Sequence, residues 1–255
     1  FFKQKTAYAM LRSLVGSEMC IRDSYFIGAP FGNFLQHATF ASNATCVTGT
    51  FTLKPRPGRL KQILRTLRYV RTEKGWTWRN QLGLRNPGIF EGIENTSSNS
   101  IMSIACLEPT DWKILHEIVP KDMSVELNIS CPNVDSHPDL KNYFALDKRK
   151  WCIVKVPPTI TQKQLDKIVS LGYNSIHASN TIPTAKGGLS GKMIVPYTLK
   201  IIDYIKNNHN DVTVIAGGGV YSKQDAKKYL NAGADHISLG SVCFTPWKIK
   251  GIIND

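Results

Sequence analysis

From Tyr25 onward, short apolar segments rich in β-branched residues alternate with segments of helical spacing, and this alternation limits the fold more than any other feature. Candidate strands are Tyr25–Gly28, Cys46–Leu53, Ile101–Ala105, Ser124–Ile129, Cys152–Val156, Asn174–His177, Val212–Ala216 and His236–Leu239. Between them, Arg59–Val70 carries Leu60, Ile63, Leu64 and Leu67 at helical spacing. Further helices are predicted at Thr110–Val119, Thr161–Leu171, Val195–Asn207, Ser222–Asn231 and Pro246–Ile253, with a short one at Leu140–Leu146. Thr110 or Asp111 caps the first of these, and Thr161 caps the next. Gly172 and Gly233 close helices at their C-terminal ends. Ala29 to Asn33 reads as a turn. Strand–helix alternation of this kind makes a parallel sheet wrapped by helices. The expectation is an α/β fold, a single-domain (β/α)8 TIM barrel over residues 25–255; an open doubly wound sheet is the competing arrangement.

Composition excludes some classes. The chain has 255 residues, 42% hydrophobic and 20% charged, ordinary for a globular domain of this size. No run of 18 apolar residues is present, so no transmembrane helix is expected. The net charge of +13 is spread without a basic stripe and interleaved aromatics, which argues against nucleic-acid binding. The same excess favours an anionic cofactor and substrate near a barrel mouth. Six cysteines form no CxxC pair, against a zinc or iron–sulfur site, and their scatter suits a reducing cytoplasm. Residues 1–24 read differently: Phe1 to Tyr8 and Val15 to Ser24 resemble translated sequencing-adapter sequence, and the segment is expected to be non-native or disordered. A targeting peptide is the alternative, weakened by Glu18 and Asp23.

The densest chemistry is Glu126-Leu127-Asn128-Ile129-Ser130-Cys131-Pro132-Asn133. Pro132 cannot donate to a ladder, so the strand stops there. Two carboxamides, a hydroxyl and a thiol arrive together at a strand's carboxyl end, where parallel α/β folds build their sites. A cysteine so placed serves as nucleophile, proton-transfer base, metal ligand or simply a small buried side chain. The paired amides suit a planar ligand with carbonyl and N–H groups. Near the C-terminal end, Gly217-Gly218-Gly219 follows one strand and Gly240-Ser241 the next. Glycine loops after consecutive late strands, with a helix N-terminus behind, suit a phosphate. Lys155 stands at a strand end before Pro157-Pro158, and a buried lysine needs an anionic partner.

The octapeptide resembles the signature of the dihydroorotate dehydrogenase family, FMN-dependent (β/α)8 barrels that oxidise dihydroorotate to orotate in pyrimidine synthesis. Its cysteine resembles the base of the soluble, class 1 branch. Asn80-Gln81-Leu82-Gly83-Leu84-Arg85-Asn86-Pro87-Gly88 is similar to a second signature, and the likeness spans residues 47 to 250. The resemblance implies that Cys131 takes the C5 proton of the dihydropyrimidine while a hydride leaves C6 for the flavin. It implies substrate contacts from Asn80, Leu82, Gly83, Leu84, Asn128, Asn133, Asn180 and Thr181. It implies flavin contacts from Asn128, Lys155 and Gly191, and phosphate contacts from Gly218, Gly219, Gly240 and Ser241. Lys155 would face the flavin region that gains negative charge on reduction. One position departs: before the run Thr50-Phe51-Thr52-Leu53-Lys54-Pro55-Arg56, Gly49 stands where the family carries a lysine touching flavin and substrate. Lys54 or another basic residue is the expected compensation. Fumarate, a quinone and NAD through a partner subunit stand as acceptors, a soluble one such as fumarate being preferred; a homodimer is expected by resemblance. Competing readings are a flavoenzyme for another dihydropyrimidine such as dihydrouracil, and a non-catalytic flavin- or phosphate-binding barrel.

Overall fold

A computed structural model of the chain describes residues 25–38, 43–130 and 139–253. The reading of residues 1–24 as foreign sequence, and the turn at Cys131, Pro132 and Asn133, lie outside the described residues. In chain order come β1 (Tyr25–Ile27), the one-turn helix α1 (Gly32–Leu35), β2 (Thr45–Thr52), α2 (Arg59–Thr66), β3 (Arg68–Thr72) and β4 (Gly75–Asn80). Next are α3 (Ile89–Asn95), β5 (Ile101–Ala105), α4 (Asp111–Ile118), β6 (Val125–Asn128), β7 (Cys152–Val156) and α5 (Gln162–Ser170). The chain continues through β8 (Ser175–Ala178), β9 (Ile182–Thr184), β10 (Gly187–Leu189), α6 (Val195–Asn208), β11 (Thr213–Gly217), α7 (Lys223–Asn231), β12 (His236–Leu239) and α8 (Trp247–Ile253).

A closed parallel barrel forms in the order β1, β12, β11, β8, β7, β6, β5, β2, with each predicted strand in it. Strand alternation splits the core into two layers. Met102, Leu127, Val154, Ile176 and Val214 face outward and join the helices through Trp112, Leu115, Leu165 and Ile202. Inside, Phe26, Val47, Ile101, Ile153 and Ile215 plug the barrel's lower end. Above that plug the interior turns polar. The register sets Ser103 beside Glu126 and Lys155 beside both Asn128 and His177.

A second sheet, β3-β4-β10-β9, is antiparallel and stands beside the barrel mouth. It corrects the expected helix Arg59–Val70, which ends at Thr66. Leu67 and Val70 extend the helical spacing by chance, but residues 68–72 pair one by one with residues 75–79. Residues 140–146 form turns rather than the expected helix. Leu140 and Phe144 are buried there, Tyr173 Oη donates to Lys141 O, and the Arg149 guanidinium covers the Phe144 ring. Tertiary contacts thus outweigh the local spacing. The Ala29–Asn33 turn runs into α1, and α3 is a helix that sequence spacing did not show. Among the described residues no helix is long and apolar enough to cross a membrane.

The Thr161 cap behaves as the sequence implies, whereas the Thr110 side chain makes no cap hydrogen bond at α4. Thr161 Oγ1 accepts from Gln164 N at 3.3 Å while Gln164 Oε1 accepts from Thr161 N at 3.0 Å, a reciprocal pair at the start of α5. Asp111 Oδ2 accepts from the N–H groups of Leu107 and Glu108, fixing the loop before α4. Thr161→Ala is expected to cost about 1 kcal/mol in urea unfolding. Stability equal to that of the parent would show that this cap contributes nothing.

Candidate active site

Between the carboxyl ends of the barrel strands and the small sheet lies a cavity of about 340 Å³. That is within the range of about 300–1,000 Å³ usual for cofactor and ligand sites. Barrel strands bring Asn128, Lys155, His177 and Gly217 to it; the small sheet brings Trp78 and Asn80. Leu82, Gly83, Leu84, Asn180 and Thr181 line it from loops. Gly191, Gly218, Gly240 and Ser241 line it too. Gly219 does not: a Cβ there would meet Lys192 Cα at 2.9 Å, so this glycine serves close backbone packing. Cys131 and Asn133 lie outside the described residues.

The floor is built on Glu126, whose side chain is fully buried. Its Oε1 accepts from Ser103 Oγ at 2.9 Å and lies 3.7 Å from Lys155 Nζ. Its Oε2 accepts from His177 Nδ1 at 2.6 Å. Burial would raise the carboxyl pKa, but the Lys155 charge, His177 and the Ser103 hydroxyl outweigh it and hold Glu126 down at about 2. Burial lowers the His177 pKa and the Lys155 charge adds to this, against the pull of Glu126. The group is therefore a carboxylate and an ammonium beside a neutral imidazole whose Nδ1 carries the proton. The buried lysine that the sequence flagged thus has its anionic partner within the protein.

Above the floor an amide network links β2, the end of β6 and the loop after β8. Asn128 Nδ2 donates to Thr50 Oγ1 at 3.0 Å, and Asn128 Oδ1 accepts from Ser130 N at 3.1 Å and Ser130 Oγ at 2.8 Å. Asn180 Nδ2 donates to Ser130 O and Oγ, while its Oδ1 accepts from Thr181 N at 2.8 Å. These bonds fix both amide planes. Each carboxamide has two N–H donors and two acceptor lone pairs, so capacity remains for a ligand.

At the other end, the backbone comes close to the cavity. Gly191 and Gly218 have φ of +82° and +93°, where side chains are disfavoured. A Cβ on Gly218 would meet Ile194 Cγ2 at 2.6 Å, and one on Gly191 would strike Thr77 Oγ1. Gly240 has open space instead. Tyr221 Oη and Ser241 Oγ share a hydrogen bond of 2.7 Å, tying the two glycine loops together. Bare backbone at the ends of β11 and β12, backed by α7, forms a cradle for an anion.

Sequence reasoning missed the aromatic wall and the floor partners. Phe31 and Phe244 meet edge-on at 5.0 Å, and Trp78 lies 4.3 Å from Phe244, all three lining the cavity. Alternating Trp76 and Trp78 after the Lys74-Gly75 turn was the available signal for their strand. Nothing local marked His177, which depends on barrel register to reach Glu126.

The floor has a pH signature. Glu126 and His177 both have folded-state pKa values below their usual ones, so the unfolded chain binds more protons on acidification. Stability should therefore fall as pH drops below about 6.5, the ordinary histidine value, and again below about 4.3, the ordinary glutamate value. In urea titrations, His177→Gln should flatten the first decline and make the second shallower, because His177 helps hold the Glu126 pKa down. An unchanged slope between pH 7 and 5 would contradict a neutral His177.

Residues 31–255 match the profile of the dihydroorotate dehydrogenase family. The catalytic subunit of dihydroorotate dehydrogenase B (NAD(+)) from Thermotoga maritima is 27% identical over 210 residues, covering 69% of this chain and 75% of that protein. The corresponding subunit from Methanocaldococcus jannaschii is 27% identical over 251 residues, covering 82% of this chain and 78% of that protein. A crystal structure of DHODH from Eimeria tenella in complex with ferulenol superposes with a TM-score of 0.69 at 17% identity, over 90% of this chain and 79% of that one. A ligand-free structure from the same organism gives 0.62 at 19% identity, over 82% and 75%. With its profile matched over nearly the whole described chain, and the barrel shared, this chain belongs to the dihydroorotate dehydrogenase family.

Proposed function

We propose that this chain oxidises dihydroorotate to orotate in pyrimidine biosynthesis, with FMN as its cofactor. The observation that carries the reading is the single cavity in which the Lys155 floor, the Asn80, Asn128 and Asn180 amides and the two glycine loops converge. The cavity fits the family's FMN on its own geometry: bare glycine backbone for a phosphate, an aromatic wall for flat rings, and a buried cation for the electron-rich edge. When bound, FMN supplies the two-electron acceptor for hydride. Gly218, Gly240 and Ser241 hold its phosphate, and Lys155 with Gly191 borders its ring system.

The chain's own side chains do the remaining work. Asn80, Asn128 and Asn180, with Thr181, present amide and hydroxyl groups to the pyrimidine edge. Leu82, Gly83 and Leu84 close the substrate side. From the octapeptide signature, Cys131 serves as the base for the C5 proton and Asn133 as a further amide. An unperturbed thiol has a pKa of about 8.5, so turnover should rise with pH toward that value. Glu126 pairs with Lys155 and holds it in place, and His177 Nδ1 orients Glu126.

Residues 25–255 form the FMN-binding barrel domain in this reading, and residues 1–24 a foreign segment. A cytoplasmic homodimer accords with the scattered cysteines and with the family likeness. The relatives named above are catalytic subunits with NAD(+) in their names. That favours NAD+ through a partner subunit as acceptor over fumarate.

The decisive test is an anaerobic visible spectrum of the FMN-loaded protein during titration with dihydroorotate. Bleaching of the flavin band at about one equivalent supports the reading, and Cys131→Ser should slow that bleaching at neutral pH. A flavin that stays oxidised with dihydroorotate but bleaches with dihydrouracil would transfer the assignment to that substrate. One that bleaches with neither would favour a binding barrel without catalysis.

A further inference from the structure

Gly49 poses a charge problem that the structure lets us follow. Its φ is +93°, and a Cβ built there would lie 2.5 Å from Ser103 O and 2.8 Å from Phe51 Cδ2. No side chain fits position 49 on this backbone, so the cation that the family places there has no way back without moving β2. Of the basic residues that the sequence offered as compensation, Lys54 is exposed and does not line the cavity. Lys155 is committed to Glu126.

Arg59 stands differently. It is the first residue of α2, half-buried, and lines the cavity together with Gly49. Two contacts connect it with position 49. The Gly49 N–H donates to Asn33 Oδ1 at 2.8 Å, and the Arg59 guanidinium sits over the ring of the next residue, Phe34, 5.3 Å from its centroid. Stacking uses the face of a guanidinium and leaves its in-plane N–H donors available. Burial lowers the Arg59 pKa, and no carboxylate among the described residues opposes that. A half-desolvated fork of donors in a ligand cavity, without an acidic partner among the described residues, is arranged for a carboxylate from outside.

We propose that Arg59 is the specificity residue of this site, its guanidinium binding the carboxylate of the dihydropyrimidine in place of the side chain missing at Gly49. The proposal rests on the dihydroorotate reading and sharpens it: the substrate must carry an anion on the ring carbon facing α2. A substrate without that carboxylate would leave Arg59 without a partner.

Calorimetric binding to the FMN-loaded protein tests this without turnover, using orotate and its methyl ester. The parent should prefer orotate. Arg59→Gln should weaken orotate binding by about 10-fold or more, the equivalent of a lost charged hydrogen bond, and change ester binding by no more than about twofold. Arg59→Lys should recover part of the loss, and Arg85→Gln, altering the other arginine on the cavity wall, should have no such effect. The proposal is overturned if Arg59→Gln binds orotate like the parent, if it loses orotate and ester equally, or if Arg85→Gln produces the loss. A parent that does not prefer orotate also overturns it, and flavin bleaching by dihydroorotate on the same sample then decides separately whether the activity stands.

Discussion

A carboxylate buried at the centre of a barrel must be neutralised, and the rest of this site depends on how Glu126 is. An unpaired charge in that position would cost several kcal/mol, and stripping one partner from such a group typically costs about 3–5 kcal/mol. Here Ser103, Lys155 and His177 arrive from β5, β7 and β8, three different strands in one register. A one-residue slip in β7 or β8 would turn Lys155 or His177 to the helix side and leave the carboxylate bare. The polar layer therefore fixes strand register as firmly as the apolar plug beneath it. Its functional consequence is an ammonium held at the floor of the cavity by a group that cannot follow a ligand out.

The upper part of the site is organised by the same economy. Asn128 and Asn180 hold each other through Ser130, so the amide planes are set before a ligand arrives. Pre-set donors lose little freedom on binding and gain strength in a cavity with little water. The glycine end works by subtraction: Gly191 and Gly218 pack where a side chain would collide, leaving backbone against the cavity. Amides and ammonium are thus fixed on one side and bare backbone on the other. That division matches a ligand whose reacting ring and anionic tail lie apart.

Much of this was legible in the chain. Short β-branched runs between helical segments gave the eight barrel strands, because parallel barrel strands are buried on both faces and must be apolar. Even the short first strand, Tyr25–Ile27, pairs with both neighbours. The described motif residues line one cavity at the strand ends, with Gly219 turned to packing, while Cys131 and Asn133 lie outside the described residues. What stayed hidden depends on partners distant in sequence. Arg68–Asn80 reads as helix continuation and loop until β10 offers an edge at Leu189 and Gly188. Leu140–Leu146 has helical spacing that Tyr173 and Arg149 override. His177 and Arg59 carry no motif; one is placed by barrel register, the other by the start of a helix beside a stacked ring.

The most direct test of the account is a crystal structure of the chain with FMN and orotate bound together. The phosphate should rest on the Gly218 and Gly240 loops, the pyrimidine against Asn80, Asn128 and Asn180, and Lys155 between the flavin edge and Glu126. A flavin seated outside this cavity, or orotate bound away from the three asparagines, would contradict it.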